Sequence, residues 1–155
     1  MVINFDIINN HRQKYQYSCI PSAVEMVLKI ERNKTDADCT EQEKWHNKSD
    51  GSFEDYNKYE IDEITFHREF AQNRDSNFPI NQLFERIDKE LGENRMVIVS
   101  LQVNSGWHMY IIYYKNENEY FGFSKNGCET IYEGNIKSII KKMNGTDILV
   151  YEKYH

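Results

Sequence analysis

The chain has 155 residues, of which 39% are hydrophobic, and a formal net charge of −6. That length fits one domain with a real core, and the acidic balance excludes a general nucleic-acid binder, which needs a basic face for phosphate. No segment approaches the roughly 18–20 apolar residues that span a bilayer, so no membrane insertion is expected.

The N-terminus, Met-Val-Ile-Asn-Phe-Asp, lacks the basic and apolar regions of a signal peptide. Three cysteines, odd in number and widely spaced, fit neither a disulfide framework nor a CxxC metal site. A reducing cytoplasm is therefore the expected setting, with no metal or organic cofactor implied. Eleven Tyr and eight Phe supply large apolar surfaces with polar tips.

In chain order, residues 2–8 alternate loosely and predict a first strand leading into a loop around Gln13. Ile20, Ala23, Val24, Val27 and Ile30 then fall at helical spacing. Ser18 is a suitable N-cap, Pro21 sits in the first turn, and Arg32–Lys34 supply cations at the helix end. From Thr35 to Asn77 the chain is polar and charged. Thr40 followed by Glu43 resembles a capping box, and a short helix is expected over Ile61 to Phe70.

Pro79 opens a helix whose Ile80, Leu83, Phe84, Ile87 and Leu91 form one stripe, closed at Gly92. Met96 to Val103 is an apolar run expected as a buried strand. After a turn at Asn104-Ser-Gly106, strands are expected over Trp107 to Tyr114 and Tyr120 to Ser124, joined through Asn116–Glu119. Asn126-Gly127 signals a further hairpin into Glu129 to Tyr132. A short helix around Ile136, Ile139, Ile140 and Met143 precedes a last strand, Asp147 to Glu152. Helices first and a mostly antiparallel sheet last give an α+β class in a single domain, 1–155.

Cys19 falls at the first helical position, where the helix dipole and unpaired N–H groups favour thiolate over thiol. Gln13, six positions upstream, is a neutral donor suited to an oxyanion beside that sulfur. Thiolate chemistry needs an imidazole close in space. Of His11, His46, His67, His108 and His155, His108 stands out at the start of a strand after a Gly-containing turn. Alternation sets His108, Tyr110 and Ile112 on one face and Met109, Ile111 and Tyr113 on the other. The second ring nitrogen needs an acceptor, for which Ser124 and Asn126 on the next strand are both candidates.

Plainer readings stand beside these. A cysteine in an apolar helix is usually a small hydrophobe, and Asn126 in Asn-Gly is what a hairpin turn uses anyway. Cys39 and His46 lack a second close pair for metal binding and are expected at the surface. Cys128 is expected in the core or a strand, and the acidic stretch Glu54 to Glu63 on a solvated face.

The order Gln13, Cys19 on a helix, then His108 and Asn126 on neighbouring strands resembles the papain-like cysteine peptidases. The nearer resemblance is to their compact bacterial C39-like branch, which includes bacteriocin-leader processing domains. Gln13 and Cys19 keep that spacing, and Cys19-Ile-Pro-Ser-Ala-Val-Glu-Met-Val-Leu is similar to its Cys-Gly-Pro helix start. Leu83 to Val103, then Gly106-Trp107-His108 and two strands, resembles its helix, buried strand and His-bearing hairpin.

The resemblance implies a papain-like fold with Gln13 as oxyanion donor, Cys19 as nucleophile and His108 as base, hydrolysing a peptide or amide bond. Of the two candidates to orient His108, Asn126 is expected, because its amide oxygen is held in rigid geometry whereas the Ser124 hydroxyl rotates. Two positions depart from the pattern. Ile20 replaces the glycine after the cysteine, and an ungapped count from His108 lands on Ser124 rather than Asn126. These departures motivate a rival expectation, a catalytically weak or inactive papain-fold module binding a peptide or protein partner. A third expectation is an acyltransferase on the same fold, moving the acyl group to an amine instead of water.

Overall fold

The computed structural model describes residues 3–36, 38–46, 52–103 and 106–153. They form five helices and seven strands: α1 (Phe5–Asn10), α2 (Cys19–Arg32), α3 (Thr40–His46), β1 (Glu60–Ile61), β2 (Ile64–Glu69), α4 (Ile80–Gly92), β3 (Val97–Val103), β4 (Gly106–Asn116), β5 (Glu119–Asn126), β6 (Glu129–Glu133), α5 (Ile136–Lys142) and β7 (Ile148–Lys153). The strands make one sheet in the order β1-β2-β7-β3-β4-β5-β6. Every neighbouring pair is antiparallel, so the class is α+β as expected. The last strand, β7, slots between β2 and β3.

Helices cover both faces of the sheet, and strand alternation sorts the core into two halves. On one side Ala23, Val24, Val27 and Leu28 of α2 meet Ile98, Met109, Ile111, Phe123 and Leu149, with Ile8 of α1 joining them and Trp45 of α3 packed against the cluster. On the other, Leu83, Phe84 and Ile87 of α4 and Ile136 and Ile140 of α5 meet Val97, Val99, Leu101, Tyr110 and Ile112. β3 is buried from Val97 to Leu101 because it is covered from both sides. Two of the buried tyrosines have partnered hydroxyls: Tyr120 donates to Asp88 at 2.7 Å, and Tyr151 donates to Glu31 at 2.9 Å.

Two elements differ from the sequence expectation. The described part of residues 2–8 is not a strand, because Asn4 caps a helical turn by accepting from the Asp6 N–H at 3.1 Å, and the adjacent Ile7 and Ile8 are both buried. Ile61 to Phe70 is not a helix. Asp62 and Glu63 adopt positive φ, make the turn between β1 and β2, and send Ile64–Glu69 along β7. Two cysteines are also exchanged in setting. Cys39 is buried, with its Sγ 3.9 Å from the Arg12 carbonyl, because the entry to α3 docks on the Gln13 loop. Cys128 is exposed in the turn between β5 and β6. Within the expected turn at Asn104–Gly106, Asn104 and Ser105 lie outside the described residues.

Candidate functional site

Helix α2 carries Cys19 at its first position, half-buried and packed against the core beside Ile20. Ser18 precedes it without capping through its side chain. Its hydroxyl instead donates to the Tyr15 carbonyl at 3.0 Å and to Gln42 Oε1 at 2.7 Å. Gln13 sits in the same loop. Its backbone N–H donates to Gly127 across the β5–β6 turn at 2.9 Å, and its side-chain amide donates to the carbonyls of Tyr15 and Gln16 at 3.0 and 3.1 Å. The Gln13 amide therefore braces its own loop.

His108 is paired with Leu101 across β3 and β4. Leu101, Tyr110 and Ile112 all belong to the core half under α4 and α5, and cross-strand partners share a face. His108 thus points to the α4–α5 side, whereas Met109 and Ile111 face α2. On β5, Phe123 faces α2, so Ser124 and Asn126 are separated from it by alternation and lie on the His108 side. Counting three residues on from Ile111↔Phe123 along each strand leads to His108 and Asn126, although the paired register ends there. The structure brings His108, Ser124 and Asn126 to one face and Cys19 to the other, with Gln13 in the loop that leads into α2 and bonds to the β5–β6 turn.

On the α2 side, the end of the sheet presents different chemistry. Trp107, paired with Gln102, is 43% exposed. The Arg74 guanidinium lies 4.4 Å from the centre of its ring. Together with Arg68, Ser100, Met109 and Asp147 they line an open groove of about 500 Å³. Arg68 is neutralised by Asp147 and Glu54, at 3.0 and 3.1 Å. Among the described residues, Arg74 has no carboxylate partner within ion-pair distance.

The sequence reading missed a polar network behind α2. Ser22, Glu25 and Lys29 fall at i, i+3 and i+7, a second stripe opposite the apolar one, and all are buried. Lys29 Nζ lies 3.1 Å from His11 Nδ1 and Ser22 Oγ lies 2.9 Å from His11 Nε2. An ammonium only donates, so Nδ1 accepts and Nε2 carries the proton that goes to Ser22. Burial, then the charges of Lys29 and Lys125, push the His11 pKa down to about 3.

Glu25 accepts from the N–H groups of Glu41 and Gln42 at 2.7 and 3.3 Å, and from Gln42 Nε2 at 2.7 Å. Burial nevertheless raises its pKa to about 7. Lys125, also buried, donates to the Ile8 and Cys128 carbonyls and to Thr130. The signal for this network was the polar spacing on α2, hidden by its stronger apolar stripe.

Among the described residues, no three His, Cys, Asp or Glu side chains converge as a metal site, and no helix is long and apolar enough to cross a membrane. No protein-family model matches the chain, and comparison with curated proteins and with solved structures returns no match.

Proposed function

We propose that the chain is a non-catalytic module of papain-like architecture that binds a peptide or protein partner. One observation carries this choice over the peptidase: Cys19 packs on one face of the sheet while His108 stands on the other. Proton transfer between thiol and imidazole needs hydrogen-bond reach, roughly 2.6–3.2 Å, or a single bridging water. The sheet lies between them. The Gln13 amide, bonded to its own loop, adds no donor directed at an acyl oxygen.

The groove at Trp107 supports the binding reading. An indole with an exposed face suits an apolar anchor, and Arg74, without a carboxylate partner among the described residues, suits an acid beside it. The partner is thus a segment with an apolar side chain next to a carboxylate.

The test is peptide display on the intact protein, followed by titration of a selected synthetic peptide monitored by tryptophan fluorescence. Selected peptides should pair an aromatic or aliphatic residue with Asp or Glu, and Trp107→Ala should weaken binding at least tenfold. Turnover of a fluorogenic peptide library that is abolished by both Cys19→Ala and His108→Ala would overturn the proposal and restore the peptidase.

A further inference from the structure

The sheet has two outer strands with very different exposure to pairing. β1 is two residues long and ends in the positive-φ turn at Asp62 and Glu63. β6, Glu-Thr-Ile-Tyr-Glu, is five residues long and, among the described residues, pairs only with β5. It contains none of the lysines, prolines or bulges that usually blunt an edge. Apart from the β5 ladder, no backbone hydrogen bond to residues 130–132 occurs among the described residues.

Aromatic surface lies beside this edge. Tyr132 is 53% exposed and Phe5 of α1 is 42% exposed, with their ring centres 6.3 Å apart. Phe5 continues to Tyr113 at 6.1 Å, and Tyr113 to the half-exposed Tyr114 at 6.4 Å. Among the described residues, three of the five exposed large hydrophobic side chains therefore join one patch. Register assigns the two faces of β6. Tyr132 pairs with Phe123 and Thr130 with Lys125, on the α1 side. Glu129, Ile131 and Glu133 occupy the opposite side, where Ile131 packs on the second core half.

We propose that β6 accepts an eighth strand, an extended segment of a partner protein in which apolar residues alternate with lysine or arginine. Main-chain pairing supplies affinity and the two faces supply selectivity. Apolar side chains lie over Tyr132 and Phe5, and the intervening cations meet Glu129 first and then Glu133, whose carboxylate also accepts from the Gly134 and Asn135 N–H groups at 3.1 Å. A second copy of this chain fits poorly, because antiparallel pairing about Ile131 sets Glu129 of each copy opposite Glu133 of the other, a like-charge contact. The surface is separate from the Trp107 groove and does not depend on it.

The experiment uses the whole chain and two fluorescein-labelled peptides, acetyl-(Lys-Val)4-amide and acetyl-(Glu-Val)4-amide, followed by fluorescence anisotropy at low salt. The Lys-Val peptide should bind at least tenfold more tightly. Tyr132→Ala should weaken it about fivefold or more, and Glu129→Lys with Glu133→Lys should reverse the preference. Amide exchange in residues 129–133 should slow on binding, and Trp107→Ala should leave the Lys-Val affinity unchanged.

Equal binding of the two peptides, or a preference that survives charge reversal, overturns the proposal. So does a concentration-dependent dimer in sedimentation that Tyr132→Ala dissociates, since the edge would then hold a second copy. Loss of Lys-Val binding in Trp107→Ala also overturns it, by moving the peptide to the groove.

Discussion

Gln42 Nε2 lies 2.7 Å from Glu25 Oε1, and both side chains are buried. The same Gln42 amide nitrogen donates to the Arg12 carbonyl at 2.9 Å, and its oxygen accepts from the Lys14 N–H and the Ser18 hydroxyl, each at 2.7 Å. One side chain thus ties α3, α2 and the Gln13 loop together.

Gln42→Ala strips partners from Glu25, Ser18, Arg12 and Lys14 at once. A buried group left unpaired costs about 1–3 kcal/mol, so the substitution should destabilise the chain by about 3 kcal/mol in urea unfolding. Gln42→Glu should be equally severe, because it sets a second carboxylate against Glu25 and loses the two N–H donors. A loss below about 1 kcal/mol for both would show that the loop repacks around the missing amide.

Gly122 lies on β5 opposite Ile112. A Cβ there would come within 2.7 Å of the Ile111 carbonyl oxygen and of Ile136 Cδ1. The isoleucine can rotate, but a backbone carbonyl in a paired strand cannot retreat far. Gly122→Ala should therefore cost about 2 kcal/mol or more, and Ile136→Val should relieve little of it. Full recovery in the double variant would identify the side chain as the obstacle.

The three thiols test the placement of Cys19. Exposed Cys128 should react first with iodoacetamide, half-buried Cys19 second, and Cys39 last, since burial also raises the Cys39 pKa. His108→Ala should leave the Cys19 rate within about twofold, because the sheet separates the two. A tenfold fall would mean that the imidazole acts on that sulfur.

Strand alternation on β4 was legible: His108, Tyr110 and Ile112 do share one face, and Met109, Ile111 and Tyr113 the other. What the sequence does not encode locally is which face α2 covers, because helices pack on both sides and each meets an apolar stripe. The helix α4 was legible for the same reason that Ile61 to Phe70 was misread. Ile80, Leu83, Phe84, Ile87 and Leu91 repeat through three turns, whereas Ile64 and Phe66 are too few to separate a period of 2 from 3.6. The positive φ of Asp62 and Glu63, which makes the β1–β2 turn, leaves no mark as clear as Asn126-Gly127. The bulge between Ile112 and Tyr114 is equally unmarked.

His11 and Glu25, both buried behind α2, set opposing pH dependences. His11 has its pKa lowered to about 3, so its contribution is full above the unfolded value near 6.5 and is lost as pH falls toward 3. Glu25 has its pKa raised to about 7, so its contribution is full below the unfolded value near 4.5 and is lost as pH rises toward 7. Between about pH 4.5 and 6.5 the unfolded chain binds one more proton at His11 and one fewer at Glu25. The two slopes cancel there, and these sites leave stability flat.

Each substitution should expose the other slope. Glu25→Gln should give stability that rises with pH through this window by about 1.4 kcal/mol per unit. His11→Gln should give stability that falls by a similar amount. Urea unfolding at three pH values measures both, with each variant compared with itself so that the cost of the substitution drops out. Parallel pH profiles for the wild type and both variants would show that neither group changes its protonation on folding.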